Sequence, residues 1–337
     1  MKQRIYYLDF LRSFAIMVLL LHSISGYMMH SEYYSTTSWY INLVLNAFAR
    51  AGVPLFLMIS GALILSSDST KNIAKFYKKS LLHIAVPLVF WNIAYYVFKC
   101  ASGWYGEFNI RLLIDQFLNC GTEYHLWYLY TIIGIYLIAP FLKMLTDCLN
   151  NKQLIWLLFL MLFGTTIRPF INTVTPFYIY FFEPLFNGYV ACFMMGYVLC
   201  VIKCDLKTVT WFLIAGILGF FGSVILNHIN SSANEINLVA NNGYSLCHFA
   251  LASSIFMTAK FIFSERTFLK GVVTALSKAS FGIYLTHVAV IDIIIHHFMI
   301  DASPIVCSLY IFVITIAVSF AISFVLGKIK YINKIVS

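Results

Sequence analysis

Ten apolar runs, each about as long as a lipid bilayer is thick, constrain this chain more than any other feature. They fall at about 6–28, 39–65, 80–98, 125–145, 153–171, 183–202, 208–227, 243–263, 277–299 and 305–327. A helix needs about 20 apolar residues to cross a hydrocarbon layer about 30 Å thick. In lipid, only helices and closed barrels satisfy the backbone internally. The runs leave little of the 337 residues over, so residues 1–337 are expected to form a single transmembrane domain. Composition agrees: 61% of residues are hydrophobic and 10% are charged, against about 45–50% and about 25% in soluble domains. An ordinary soluble enzyme, a disordered tail and a secreted disulfide scaffold are excluded.

The charges test this division. Seventeen of the 22 Lys and Arg lie in one set of alternate loops, from Lys2 and Arg4 through Lys71, Lys75, Lys78 and Lys79 to Lys328, Lys330 and Lys334. The other set holds Lys99, Arg111 and Arg168. By the positive-inside rule the lysine-rich loops are cytoplasmic, and ten spans put both termini there too. The expected fold is therefore an all-α polytopic integral membrane protein of about ten transmembrane helices. The net charge of +9 is then a matter of topology. No basic and aromatic pattern suggests a nucleic-acid partner; membrane lipid is the expected surrounding. The eight cysteines are scattered without a Cys-x-x-Cys pair, and no metal-ligand spacing occurs. The first run follows Lys2 and Arg4 as a signal peptide would. It contains Asp9, Arg12 and His22 and has no cleavage pattern, so it reads as a retained span.

Ionisable groups inside hydrocarbon cost about 2.5–3.5 kcal/mol each on insertion scales, so those that persist face a cavity or a partner. Asp9 and Arg12 share a helix face at i, i+3, and an interfacial ion pair between them is the plain reading. His22 lies ten residues beyond Arg12, about 15 Å further along the helix. Arg50 sits near the middle of the second run, just before Gly52-Val53-Pro54, with Ser60-Gly61 further on. The ninth run carries Tyr284, Thr286 and His287. His125 and Trp127 open the fourth run, where His125 reads as a rim residue; Asn92 and Glu183 are polar intrusions without an assigned role. No Walker loop, His-Glu-x-x-His or Gly-x-Ser-x-Gly motif is present. A basic histidine with arginines nearby suits proton abstraction from a hydroxyl with stabilisation of negative charge. It suits a proton-coupled carrier equally well.

Four segments in order resemble the membrane acyltransferase-3 family. They are Tyr7-Leu8-Asp9-Phe10-Leu11-Arg12 leading to His22, and Arg50-Ala51-Gly52-Val53-Pro54-Leu55-Phe56 leading to Ser60-Gly61. The others are His125-Leu126-Trp127-Tyr128-Leu129 leading to Tyr136 and Pro140, and Ser280-Phe281-Gly282-Ile283-Tyr284 leading to His287. The nearest likeness is to the enterobacterial common antigen O-acetyltransferase branch. The resemblance implies a multi-pass enzyme of the bacterial inner membrane. It would take acetyl from cytoplasmic acetyl-CoA, a co-substrate rather than a bound cofactor, and pass it to a sugar hydroxyl of a surface polysaccharide or lipid-linked glycan. It also implies that His22, Arg12 and Arg50 are catalytic, and that Asp9, Ser60, Gly61, Trp127, Tyr284 and His287 line the acyl-donor pocket. His22 would be general base or transient acyl carrier. Lys75, Lys78 and Lys79 would meet the CoA phosphates. The family's arginine-to-histidine spacing is usually one residue longer; ten residues leave Arg12 and His22 about 80° apart on an ideal helix. A transporter of a glycan intermediate or small metabolite is the alternative.

Overall fold

A computed structural model describes residues 4–27, 34–119, 121–176, 187–232, 234–238, 240, 245–330 and 332–335. Within them the chain forms helices α1 (Tyr6–Tyr27), α2 (Thr37–Ala49), α3 (Gly52–Leu65), α4 (Ile73–Ala101), α5 (Ile110–Leu118), α6 (Trp127–Cys148) and α7 (Asn151–Leu162). There follow α8 (Arg168–Val174), α9 (Gly188–Val201), α10 (Leu206–Ile229), α11 (Leu246–Phe263), α12 (Lys270–His297) and α13 (Pro304–Lys328). No strand occurs among the described residues.

Among the described residues, nine segments are long and apolar enough to span a membrane, and Gly188–Val201 is a shorter apolar helix. The ten expected runs thus become nine long segments and one short one. The short one corresponds to the sixth run, whose beginning, with Glu183, lies outside the described residues; so does Lys2. The second run is not one helix. It breaks at Arg50 and Ala51, between α2 and α3. Pro54 has no N–H to donate, so the carbonyl four residues back, that of Arg50, lacks its usual helical donor.

Burial orders the bundle. The most apolar windows of α1 and α12 are each 67% buried, whereas that of α10 is 22% buried and that of α13 28%. The first two are therefore central and the last two face outward, where apolar side chains meet lipid. Helix α1 packs against α2, α3, α11, α12 and α13, through fully buried Leu11, Ala15, Ile16, Leu20 and Ile24. Helices α3 and α9 touch main chain to main chain. A Cβ on Gly61 would stand 1.7 Å from the Phe193 carbonyl oxygen, and one on Gly196 1.8 Å from that of Met58. Such close approach through small residues is how helices pack tightly in lipid. Gly61 is thus a packing residue of the α3–α9 crossing rather than part of a pocket wall.

Polar groups inside the bundle are matched in specific ways. Lys260 on α11 donates from Nζ to the carbonyls of Leu199, Cys200 and Ile202 at 2.8, 2.8 and 2.9 Å, closing the C-terminal end of α9. His248 on α11 meets Ser223 Oγ at 3.1 Å and Ser245 Oγ at 2.7 Å, which occupies both ring nitrogens. Asp9 accepts two hydrogen bonds from Arg4, at 2.9 and 2.8 Å, and one from Ser277 Oγ at 2.8 Å. The expected Asp9–Arg12 pair is therefore an Arg4–Asp9 pair. It ties the chain before α1 to α12 and leaves Asp9 a structural anchor.

Candidate functional site

Three cavities follow one another through the bundle, and each adjoining pair shares two wall residues. A lysine cavity of about 610 Å³ lies by the α3–α4 connection, lined by Lys71, Lys75, Lys79, Asp68, Asn72 and others. An arginine cavity of about 530 Å³ follows, with Arg4, Arg12, Ser60, Lys278 and Ser280 in its wall. His83 and Tyr136 line both. A histidine cavity of about 330 Å³ comes third, lined by His22, Ser23, Arg50, Tyr124, His125, Trp127 and Tyr189 among others. Tyr128 and Tyr284 line both it and the arginine cavity. Their rings meet edge to face with centroids 5.7 Å apart, a favoured aromatic geometry. They form the partition.

Most of the expected site residues line these walls, but not together. His22, Arg50 and Trp127 face the histidine cavity. Arg12 and Ser60 face the arginine cavity. Tyr284 belongs to both. Arg12 and His22 therefore do not share a chamber, as their ten-residue spacing foreshadows. His287 is fully buried behind the wall, with its ring centroid 5.1 Å from that of His125. Of the three expected phosphate-binding lysines, Lys75 and Lys79 line the lysine cavity; Lys78 does not, and Lys71 does.

His125 is no rim residue: it is 4% exposed and lies against Tyr95, Tyr284 and His287, with centroids 5.2, 5.5 and 5.1 Å away. A short folded-in loop carries it there. Gly121 adopts φ +106°, a conformation open to glycine at no steric cost. Asn92 on α4 accepts the Thr122 N–H at 3.1 Å through Oδ1, and its backbone carbonyl accepts the Thr122 hydroxyl at 3.1 Å. Lys99 donates to the Thr122 carbonyl at 2.9 Å and pairs with Glu123. Burial pushes the Glu123 carboxyl above the usual carboxylate range, against the pull of Lys99. The Tyr284 hydroxyl donates to the His125 carbonyl. Asn92, unassigned from sequence, thus holds the loop that places His125 in the wall.

The hydrogen-bond partners favour one protonated ring nitrogen in each neutral ring. The Ser25 hydroxyl donates to the His22 carbonyl at 3.0 Å and accepts from Asn46 Nδ2 at 3.0 Å. The same Nδ2 is 3.4 Å from His22 Nδ1. A donor there makes Nδ1 the acceptor, so a neutral His22 carries its proton on Nε2. His287 is the reverse. Its Nδ1 lies 2.6 Å from the Tyr284 carbonyl oxygen, which can only accept, so Nδ1 bears the hydrogen. Its Nε2 is then a lone pair, 3.2 Å from Ser23 Oγ. Ser23, Asn46 and Tyr189 carried no signal in the sequence, where a hydroxyl or amide in an apolar run looks like any other polar packing residue; Tyr128 stood there only as part of a resembling segment.

The arrangement can hold an anionic, elongated molecule from the lysines inward. It presents imidazole, guanidinium and hydroxyl groups around one chamber at the far end. No group of three or more metal-binding side chains occurs among the described residues. No curated protein and no solved structure matches the chain. The family model described as an acyltransferase domain matches residues 5–328, nearly the whole chain and every helix that builds the three cavities. The protein belongs to the acyltransferase-3 family, and is a multi-pass membrane acyltransferase.

Proposed function

We propose that the protein is an O-acetyltransferase of the bacterial inner membrane. It moves acetyl from cytoplasmic acetyl-CoA to a sugar hydroxyl of a surface polysaccharide or lipid-linked glycan, after the manner of the enterobacterial common antigen O-acetyltransferase branch. One observation carries this reading: three cavities in series, with lysines at one end and imidazole groups at the other, joined at a tyrosine partition. A CoA thioester has the matching polarity, with phosphates at one end and a reactive carbonyl at the other.

Lys71, Lys75 and Lys79 meet the phosphates as flexible point charges. Arg12 and Ser60 line the arginine cavity along the path of the pantetheine arm. The thioester carbonyl reaches the Tyr128–Tyr284 partition, where Arg50 stabilises the negative charge that develops on its oxygen. His22, in the same chamber, supports that charge as a second donor. Trp127, against Tyr189 with centroids 5.2 Å apart, offers an aromatic face of the kind that packs on a sugar ring.

The test compares the surface glycans of cells with and without the gene by mass spectrometry, alongside CoA release by membranes given acetyl-CoA. Loss of one acetyl group per repeat, with CoA release that needs the protein, is the expected result. Movement of a glycan or metabolite across the membrane without acetyl-CoA consumption would instead establish the carrier reading.

A further inference from the structure

We propose that Ser23 is a nucleophile of this site and His287 its base, so that the acyl group rests as an ester on Ser23 between donor and acceptor. The proposal rests on the acyl-transfer reading above and specifies its covalent route.

The geometry is that of an activated hydroxyl. Ser23 lines the histidine cavity, beside His22 and Arg50. Its Oγ is 3.2 Å from His287 Nε2. The ring is held by the Tyr284 carbonyl, 2.6 Å from Nδ1, which leaves Nε2 free to accept the Ser23 proton. A nucleophile within hydrogen-bond reach of a base, with the base oriented by a third group, is the general pattern of covalent acyl transfer. His287 is fully buried behind Ser23, so the groups that exchange protons with its Nε2 are the Ser23 hydroxyl and whatever leaves or attacks at the acyl carbon held on Ser23 Oγ. His22 stands the other way round. With Asn46 donating to Nδ1, its Nε2 carries a hydrogen and can donate but not accept. It suits an oxyanion beside Arg50 better than it suits the removal of a proton.

The steps balance. Ser23 Oγ attacks the thioester carbonyl, and its proton passes to His287 Nε2 as the C–O bond forms. The C–S bond breaks, and His287 returns the proton to the departing thiolate, so that CoA leaves as a thiol. The acceptor hydroxyl then attacks the Ser23 ester, again giving its proton to His287 Nε2. The bond to Ser23 breaks, and the Ser23 alkoxide takes the proton back. Nothing is oxidised or reduced.

The experiment uses the full chain in membranes or detergent with radiolabelled acetyl-CoA and no acceptor. It is quenched with acid, digested, and read by peptide mass spectrometry alongside CoA release. The wild type is expected to carry acetyl on the Ser23 peptide, stable in acid and released by alkaline hydroxylamine. Ser23→Ala carries none and transfers none, while Ser23→Cys regains label as a thioester, which shows that the fold survives at this position. His287→Gln slows labelling by about 10²–10⁴-fold, the usual worth of a positioned base. Acetyl found on His22 overturns the proposal, as does Ser23→Ala with wild-type CoA release and transfer; either result leaves acyl transfer itself standing. A wild type that releases no CoA and acetylates no acceptor overturns both readings together.

Discussion

The arginine cavity and the histidine cavity share a wall, yet they are built for different work. The first is cationic, with Arg4, Arg12 and Lys278 around it. The second has Arg50 as its cation, and its other polar groups are imidazole and hydroxyl, which exchange protons. The difference teaches that Arg12 and His22, paired by a shared helix, act in series rather than on one atom. On the proposed function, the arginine cavity is the place for an anion or a long polar chain, and the histidine cavity the place for proton and acyl transfer.

The largest expected effect breaks the chemistry and spares the holding. His22→Ala is expected to lower acetyl transfer by about 10²–10³-fold, the usual worth of an oxyanion donor, measured as glycan acetylation at equal membrane levels of protein, with the KM for acetyl-CoA little changed. Retained acetylation would end the catalytic role of His22. Arg12→Ala is expected to do the converse, raising the KM for the donor by roughly tenfold or more, the scale of a hydrogen bond to a charged group, with a smaller loss in kcat. If the two variants change the same kinetic constant, the serial division fails. A third variant attacks the partition. Tyr128→Ala merges the two chambers, so water is expected to reach the thioester and raise acceptor-independent CoA release by several-fold, while transfer falls. The smallest effect lies at the far end. Lys75→Ala with Lys79→Ala is expected to raise donor KM a few-fold at low salt and less at high salt, because exposed charges are screened. Lys78→Ala, outside the cavity wall, is expected to leave KM unchanged.

Nine of the ten runs were readable as long apolar segments because lipid leaves a helix no alternative; the sixth is, among the described residues, the shorter helix Gly188–Val201. The break at Arg50 was not read, because 39–65 looked like one continuous run, although Pro54 removes a helical donor there. Partner identity was not readable, and Asp9 shows why. Helical spacing offers it Arg12, but Arg4, in the stretch before α1, reaches back and takes both carboxylate oxygens. His125 was misplaced for a similar reason: its inward position depends on Asn92, on another helix and thirty residues before the Thr122 that it holds. Gly61 matched a family motif and looked like a pocket residue, whereas its neighbour is the Phe193 backbone. Likewise His287 stood out as a deep histidine, but nothing in its own segment points to Ser23 across the bundle.

The glycine crossing of α3 and α9 also bears on how the bundle can move. Where side chains separate two helices, rotamer changes let one slide against the other. At Gly61 and Gly196 main chain meets main chain, and there is no rotamer to adjust. Gly216 and Gly219 also bring α10 near α11, but less closely, against the Ser254 side chain and the Cys247 carbonyl. The α3–α9 contact therefore leaves little room for one helix to slide on the other, and it sits directly after the interruption of the second span at Arg50 and Ala51.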